Sequence, residues 1–180
     1  MKIFIASDIH GSAHFCRKML DAFEAEHADR LFLLGDVLYH GPRNDLPVGY
    51  APKDVIAMLN PLKQKILCVR GNCDTEVDQM VLEFPLLADY AVVDCGTRLI
   101  YATHGHKISE LSECIADGDI LLCGHTHVPA CNVGRYVYLN PGSVSIPKEN
   151  SKNSYMIFDN GIFIWKDIDG VEYKRYQTNN

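Results

Sequence analysis

The chain has 180 residues, enough for one self-sufficient core: domains run to roughly 100–200 residues, and a chain of this length buries about 70% of its unfolded surface. Hydrophobic residues make up 47% and charged residues 22%, which excludes a disordered, collagenous or disulfide-stapled chain. Asp+Glu outnumber Lys+Arg by 23 to 17, for a formal net charge of −6, so no global positive field gathers nucleic acid or an anionic membrane.

Met1 leads into the apolar run Lys2–Ala6, which stops at Ser7-Asp8. That run is too short for a signal segment, and no apolar stretch approaches the ~18 residues of a membrane span. A cytoplasmic protein, one domain over 1–180, is expected. The seven Cys (16, 68, 73, 95, 114, 123 and 131) are odd in number and contain no C-x-x-C, so reduced thiols are expected.

Lys2–Ala6 reads as a buried strand. Ser12–His27 carries Phe15, Met19, Ala22 and Phe23 at helical spacing, with Ser12 as N-cap. Arg30–Leu34 is a second buried strand, followed by a Gly- and Pro-rich loop over 35–51. Pro52 opens a second helix with Val55, Ile56 and Leu59 on one side. Lys65–Val69 is a third strand. The alternation β-α-β-α-β predicts an α/β fold with parallel pairing. Further on, Ala91–Asp94 and Arg98–Thr103 flank a Cys95-Gly96 turn. Asp119–Cys123 is another buried strand, and Val128–Val133 and Tyr136–Leu139 flank Gly134. Tyr155–Phe158 and Ile162–Trp165 flank Asn160-Gly161, a strong hairpin signal, and Asp169-Gly170 marks a further turn. The aromatic C-terminal strands are a candidate contact surface for a homo-oligomer.

Polar clusters follow five of these strands: Ser7-Asp8-Ile9-His10-Gly11, Gly35-Asp36, Arg70-Gly71-Asn72-Cys73-Asp74, Thr103-His104-Gly105-His106 and Gly124-His125-Thr126-His127. Ligands of open α/β sheets bind at the carboxyl ends of strands. Two Asp, one Asn and four His are hard oxygen and borderline nitrogen donors, with no thiolate cluster. Seven donors are too many for one tetrahedral ion and suit two ions sharing a carboxylate. The neighbouring glycines permit sharp turns. Each cluster alone has a bland reading, Gly-Asp as a turn and Asp-x-His as coincidence. Their joint occurrence at strand ends points to a metal site.

The series Asp8-Ile9-His10, Gly35-Asp36, Gly71-Asn72-Cys73-Asp74, His104 and Gly124-His125-Thr126-His127 resembles the calcineurin-like metallophosphoesterase family over residues 1 to about 147. The stretches 35–44 and 140–147 look like those of its small bacterial phosphodiesterases. The resemblance implies a four-layer α-β-β-α sandwich, with two mixed β-sheets flanked by helices. It implies that Asp8, His10 and His127 hold one divalent metal ion, that Asn72, His104 and His125 hold a second, and that Asp36 bridges them. The metal is expected to be manganese, with iron, zinc, nickel and cobalt as alternatives. A hydroxide shared by the two ions would attack phosphorus in line. Asn72 would also donate its amide to the phosphoryl group, and Arg43 is a candidate bidentate phosphate contact.

Two positions depart from family patterns. Tyr39 and His40 stand where the protein phosphatases carry Asp-Arg, which argues against that branch. Cys73 stands where many members carry a proton-donating His, and a thiol is a weaker donor. Good leaving groups should therefore be favoured, as in a small aryl phosphodiester substrate. The competing readings are a phosphomonoesterase or nucleotidase, and a non-catalytic protein-interaction scaffold on the same fold. Neither stable nucleic-acid binding nor membrane binding is expected.

Overall fold

The computed structural model describes residues 1–96 and 98–178. Ile3–Ala6 (β1), Arg30–Leu33 (β2) and Ile66–Cys68 (β3) pair in parallel, with Ile5 opposite Phe32 and Leu33 opposite Cys68. Ala13–Ala25 (α1) and Pro52–Leu59 (α2) form the crossovers. Ser12 caps α1, its Oγ accepting the Phe15 N–H at 3.2 Å. Pro52 occupies the first turn of α2, where no intrahelical donor is needed.

Past the single-turn helix Glu76–Gln79 (α3), Tyr90–Asp94 (β4) and Leu99–Thr103 (β5) pair antiparallel. The single-turn helix Ser109–Ser112 (α4) precedes Ile120–Leu122 (β6). Ala130–Val133 (β7) and Val137–Asn140 (β8) are antiparallel, while β5, β6 and β8 run parallel. Ser154–Asp159 (β9) and Ile162–Asp167 (β10) form the hairpin expected at Asn160-Gly161, and Glu172–Gln177 (β11) follows. Antiparallel β9 lies against β1. The sheet orders are β11-β10-β9-β1-β2-β3 and β4-β5-β6-β8-β7, both mixed.

Side-chain alternation makes the layers, because successive residues of a strand face opposite ways. In β1, Phe4 and Ala6 face α1 and α2, packing with Met19, Phe23, Val55 and Leu59. Ile3 and Ile5 face the second sheet, joining Phe32, Ile100, Ile120, Leu122, Leu139, Phe163 and Trp165. Residues Leu121 and Cys123 of the second sheet pack outward on Ile108 and Ile115, beside Tyr101 and Tyr138. The layers are thus α-β-β-α, as the motif series implied, but the last helical layer is thin: α4 and the loops around it. Trp165 is fully buried and donates its Nε1–H to the Asn140 carbonyl at 2.7 Å, tying the C-terminal hairpin across to β8.

Among the described residues, no helix is long and apolar enough to cross a membrane. All seven cysteines are free thiols.

Candidate metal centre

Each donor cluster sits where its strand ends. Asp8 and His10 follow β1, Asp36 follows β2 and Asn72 follows β3; His104 follows β5, and His125 and His127 follow β6. Parallel strands finish on one edge, so these loops meet. Backbone bonds knit them together. His10 N–H donates to the Asp36 carbonyl at 2.9 Å, and Gly124 N–H to the His104 carbonyl at 2.9 Å. The carboxylate of buried Asp74 accepts the N–H groups of Asp36, Val37 and Gly71 at 2.8, 2.9 and 2.7 Å, pinning the second and third loops to each other. Ser143 and Ser145 donate their hydroxyls to the Asp8 carbonyl at 2.9 and 3.0 Å.

Five of the seven donor residues adopt positive φ: Asp8 at 59°, His10 at 50°, Asp36 at 54°, His125 at 66° and His127 at 62°. Such a conformation costs about 1–3 kcal/mol for a non-glycine residue and persists only where the surroundings over-determine it. Here it turns each side chain back toward the shared edge.

The donors converge. His127 Nε2 is 3.3 Å from Asp8 Oδ1 and His10 Nε2 is 3.6 Å from it. Asp36 Oδ2 lies 3.7 Å from His10 Nε2 and 3.4 Å from His104 Nε2, between the two groups of ligands. Asn72 Oδ1 is 3.1 Å from His104 Nε2, which is 3.2 Å from His125 Nδ1.

This geometry fits cations. The Nδ1–H groups of His10, His104 and His127 donate to the carbonyls of Tyr39, Leu34 and Ile146 at 2.8, 2.6 and 2.6 Å. A carbonyl only accepts, so each ring turns its Nε2 to the centre, where a cation would take the lone pair of the neutral ring and a proton would otherwise sit. The Nε2 atoms of His10 and His127 face one another at 3.3 Å. Asp8 Oδ1 is buried with no hydrogen-bond donor. Lone pairs gathered in this way, away from water, are stable only around positive charge. Burial alone would lower the imidazoles, but the facing carboxylates override it, raising His10 and pushing His104 up to about 9. Burial likewise works to raise Asp8, yet His10 and His127 hold it well below the usual carboxylate range.

A cleft of about 430 Å³ opens beside the donors, lined by Asp36, Asn72, His125 and His127 and by Arg43, Asn44, Cys73, Thr126 and Lys148. Arg43 and Cys73 therefore reach the same space as the candidate metal donors. Asn72 turns its carbonyl oxygen inward and its Nδ2 toward Cys73 Sγ at 3.2 Å. Burial, then the Asp36 carboxylate, push the Cys73 thiol up to about 12. His106 packs beside the centre, its ring 5.5 Å from that of His104. Exposed His27 lies beyond the end of α1, away from the cleft. Sequence reasoning missed Lys148, which follows Pro147 without a motif. It also missed the clamp made by Asp74, although the Gly-Asn-x-Asp spacing carried that signal.

The two mixed sheets, with metal-donor loops at one shared edge, define a metallophosphoesterase. The family model for the calcineurin-like phosphoesterase superfamily domain matches residues 1–161, and the chain belongs to that superfamily. It is 46% identical over 164 residues to the phosphodiesterase YfcE of Escherichia coli K12, covering 90% of this chain and 89% of that protein. The solved structure of YfcE, a phosphoesterase from E. coli, superposes with a TM-score of 0.92 at 42% identity, covering 99% of this chain and 100% of that one. Zinc-complexed Vps29 of Entamoeba histolytica superposes at 0.63 with 20% identity, covering 99% and 100%, and shares the fold.

Proposed function

We propose that this chain is a metal-dependent phosphodiesterase working at a binuclear centre in the cytoplasm, with manganese as the preferred ion. The observation that carries the reading is Asp36 Oδ2, placed between His10 Nε2 at 3.7 Å and His104 Nε2 at 3.4 Å, where one carboxylate could serve two ions. Asp8, His10 and His127 would hold the first ion and Asn72, His104 and His125 the second. When bound, such ions supply an acidified water near neutral pH and Lewis acidity toward phosphoryl oxygens.

The chain's own groups do the rest. The backbone carbonyls of Tyr39, Leu34 and Ile146 fix the ring orientation of three histidines, so the centre is organised before substrate arrives. Asn72 holds its carbonyl oxygen inward and offers Nδ2–H to a non-bridging phosphoryl oxygen. Arg43 lines the cleft with a guanidinium fork suited to a phosphate oxygen of the substrate outside the reacting group. Cys73 remains a neutral thiol and a weak hydrogen-bond donor, so the leaving group departs carrying most of its own charge. Aryl esters, whose leaving groups tolerate that charge, are turned over faster than alkyl esters.

The test strips the protein with a chelator, restores manganese, and compares an aryl phosphodiester with an aryl phosphomonoester. The diester is hydrolysed preferentially, and Asp36→Asn loses at least about 100-fold. A preference for the monoester selects the phosphomonoesterase reading. Hydrolysis of neither ester with any of the five metals selects the scaffold.

A further inference from the structure

We propose that the cleft also holds a second, dianionic phosphoryl group of the substrate, bound by Arg43 and Lys148. This deepens the phosphodiesterase reading and rests on it.

Two loops bring these cations to one cleft. Arg43 sits on a turn that begins at Gly41-Pro42 and is closed by Asn44, whose N–H and Nδ2–H donate to the Gly41 and His40 carbonyls at 3.5 and 2.8 Å. The turn lies against the Asn72–Cys73 loop: a Cβ on Gly41 would meet Cys73 Sγ at 3.1 Å. Lys148 is fastened to the His127 loop, its N–H donating to the His127 carbonyl at 3.3 Å. Ser151 caps the Lys148 carbonyl through Oγ at 2.6 Å and N–H at 3.0 Å. Between them, Glu149 and Asn150 both take left-handed backbone, at φ 52° and 57°. Two consecutive strained residues without glycine need a surrounding structure that enforces them. They turn the chain immediately after Lys148, which lines the cleft.

Among the described residues, neither Arg43 nor Lys148 makes an ion pair, and Asp36 is the sole acidic residue lining the cleft. Asp36 is already turned to the metal donors. Two divalent ions against Asp8 and Asp36 leave an excess of two positive charges at the centre, which answers the nucleophile and the single charge of a diester. Arg43 and Lys148 add two more that the diester leaves unmatched. A phosphomonoester group carries −1.5 to −2 at neutral pH and three acceptor oxygens, which answers the two positive charges. A carboxylate or a flanking diester brings only one charge. The substrate class is therefore a phosphodiester that bears a terminal phosphate on one of its arms.

The test uses the manganese-loaded enzyme and two esters that differ in one group: the p-nitrophenyl ester of thymidine 5′-phosphate, without and with a 3′-phosphate. At low salt the 3′-phosphate raises kcat/KM about tenfold, and high salt erodes the gain. Lys148→Ala and Arg43→Ala each cut that ratio by about threefold or more. Titration calorimetry provides a readout without turnover: thymidine 3′,5′-bisphosphate binds more tightly than thymidine 5′-phosphate, and Lys148→Ala removes most of the difference. A wild-type ratio near one, or a ratio that both variants keep, overturns the inference. An equal gain from a 3′-O-carboxymethyl group overturns its dianionic part. If neither ester is cleaved yet the bisphosphate still binds preferentially through Lys148, the phosphodiesterase reading fails and the anion site stands.

Discussion

Gly71 is the position at which a single methyl group tests how the centre is built. A Cβ added there would lie 2.1 Å from Asp36 Oδ1 and 2.3 Å from Asp36 N. Both atoms are engaged: Oδ1 accepts the Cys73 N–H at 2.8 Å, and the Asp36 N–H donates to Asp74 at 2.8 Å. Gly71 does not use left-handed backbone, so alanine meets no conformational penalty and the clash acts alone. Overpacking costs about 1–3 kcal/mol, and loss of one hydrogen bond to a charged group about 1.5–3 kcal/mol. Alanine returns about 0.4–1 kcal/mol by restricting the unfolded chain. The balance is a loss of roughly 2–5 kcal/mol. At about 2–4 °C per kcal/mol for a chain of this size, Gly71→Ala lowers Tm by roughly 4–20 °C in chelator. Displacing Asp36 should also weaken divalent-metal binding by about 10–100-fold. Scanning calorimetry and metal titration measure both effects, with Gly134→Ala as control, since a Cβ there meets nothing nearer than 3.7 Å. A Gly71→Ala protein with unchanged Tm and unchanged metal affinity would refute the tight Asp36–Gly71 approach as the feature that positions the Asp36 carboxylate.

Away from the centre, Glu26 joins Lys2 at 2.8 Å, Lys166, and the Tyr155 hydroxyl at 3.1 Å. Burial works to raise its carboxyl, but Lys166 and Lys2 outweigh that and hold it below the ordinary Glu value. Its contribution to stability is therefore complete above the unfolded pKa of about 4.3 and disappears as pH falls through the lower folded value. Glu26→Gln should thus differ most from wild type in urea melts near neutrality and converge with it as pH falls below the folded value; a constant offset across the acid range counts against the ion-pair account. At Cys73, a His variant should donate better to the leaving group and narrow the gap between aryl and alkyl esters. An unchanged dependence of rate on leaving-group pKa removes Cys73 from that role.

Much of the fold was legible because its signals are local. The first seventy residues alternate buried strand and amphipathic helix, Ser12 caps as a Ser should, and Asn160-Gly161 makes its hairpin. The donor loops were legible because Asp, Asn and His are unusual just past apolar strands. By contrast, β11 reads Glu-Tyr-Lys-Arg-Tyr-Gln and is mostly exposed; it is a strand because β10 offers it an edge, which a local pattern cannot show. The antiparallel placement of β9 beside β1 joins residues more than 150 positions apart and leaves no local trace. Lys148 escaped for a related reason. Its backbone is tied to His127 and followed by two left-handed residues, and nothing in Lys148-Glu149-Asn150 announces either.

The donors come from both sheets, and this has a mechanical consequence. Asp8, His10, Asp36 and Asn72 ride on the six-stranded sheet, while His104, His125 and His127 ride on the five-stranded one. Direct bonds span the seam, from His104 Nδ1–H to the Leu34 carbonyl at 2.6 Å and from His125 N–H to Asp8 Oδ2 at 3.1 Å. A bound ion pair would act as a cross-brace between two layers otherwise held mainly by apolar contact. Its binding energy then opposes any sliding of one sheet over the other. By the same linkage, metal affinity becomes a gauge of inter-sheet alignment, sensitive to core substitutions far from any ligand.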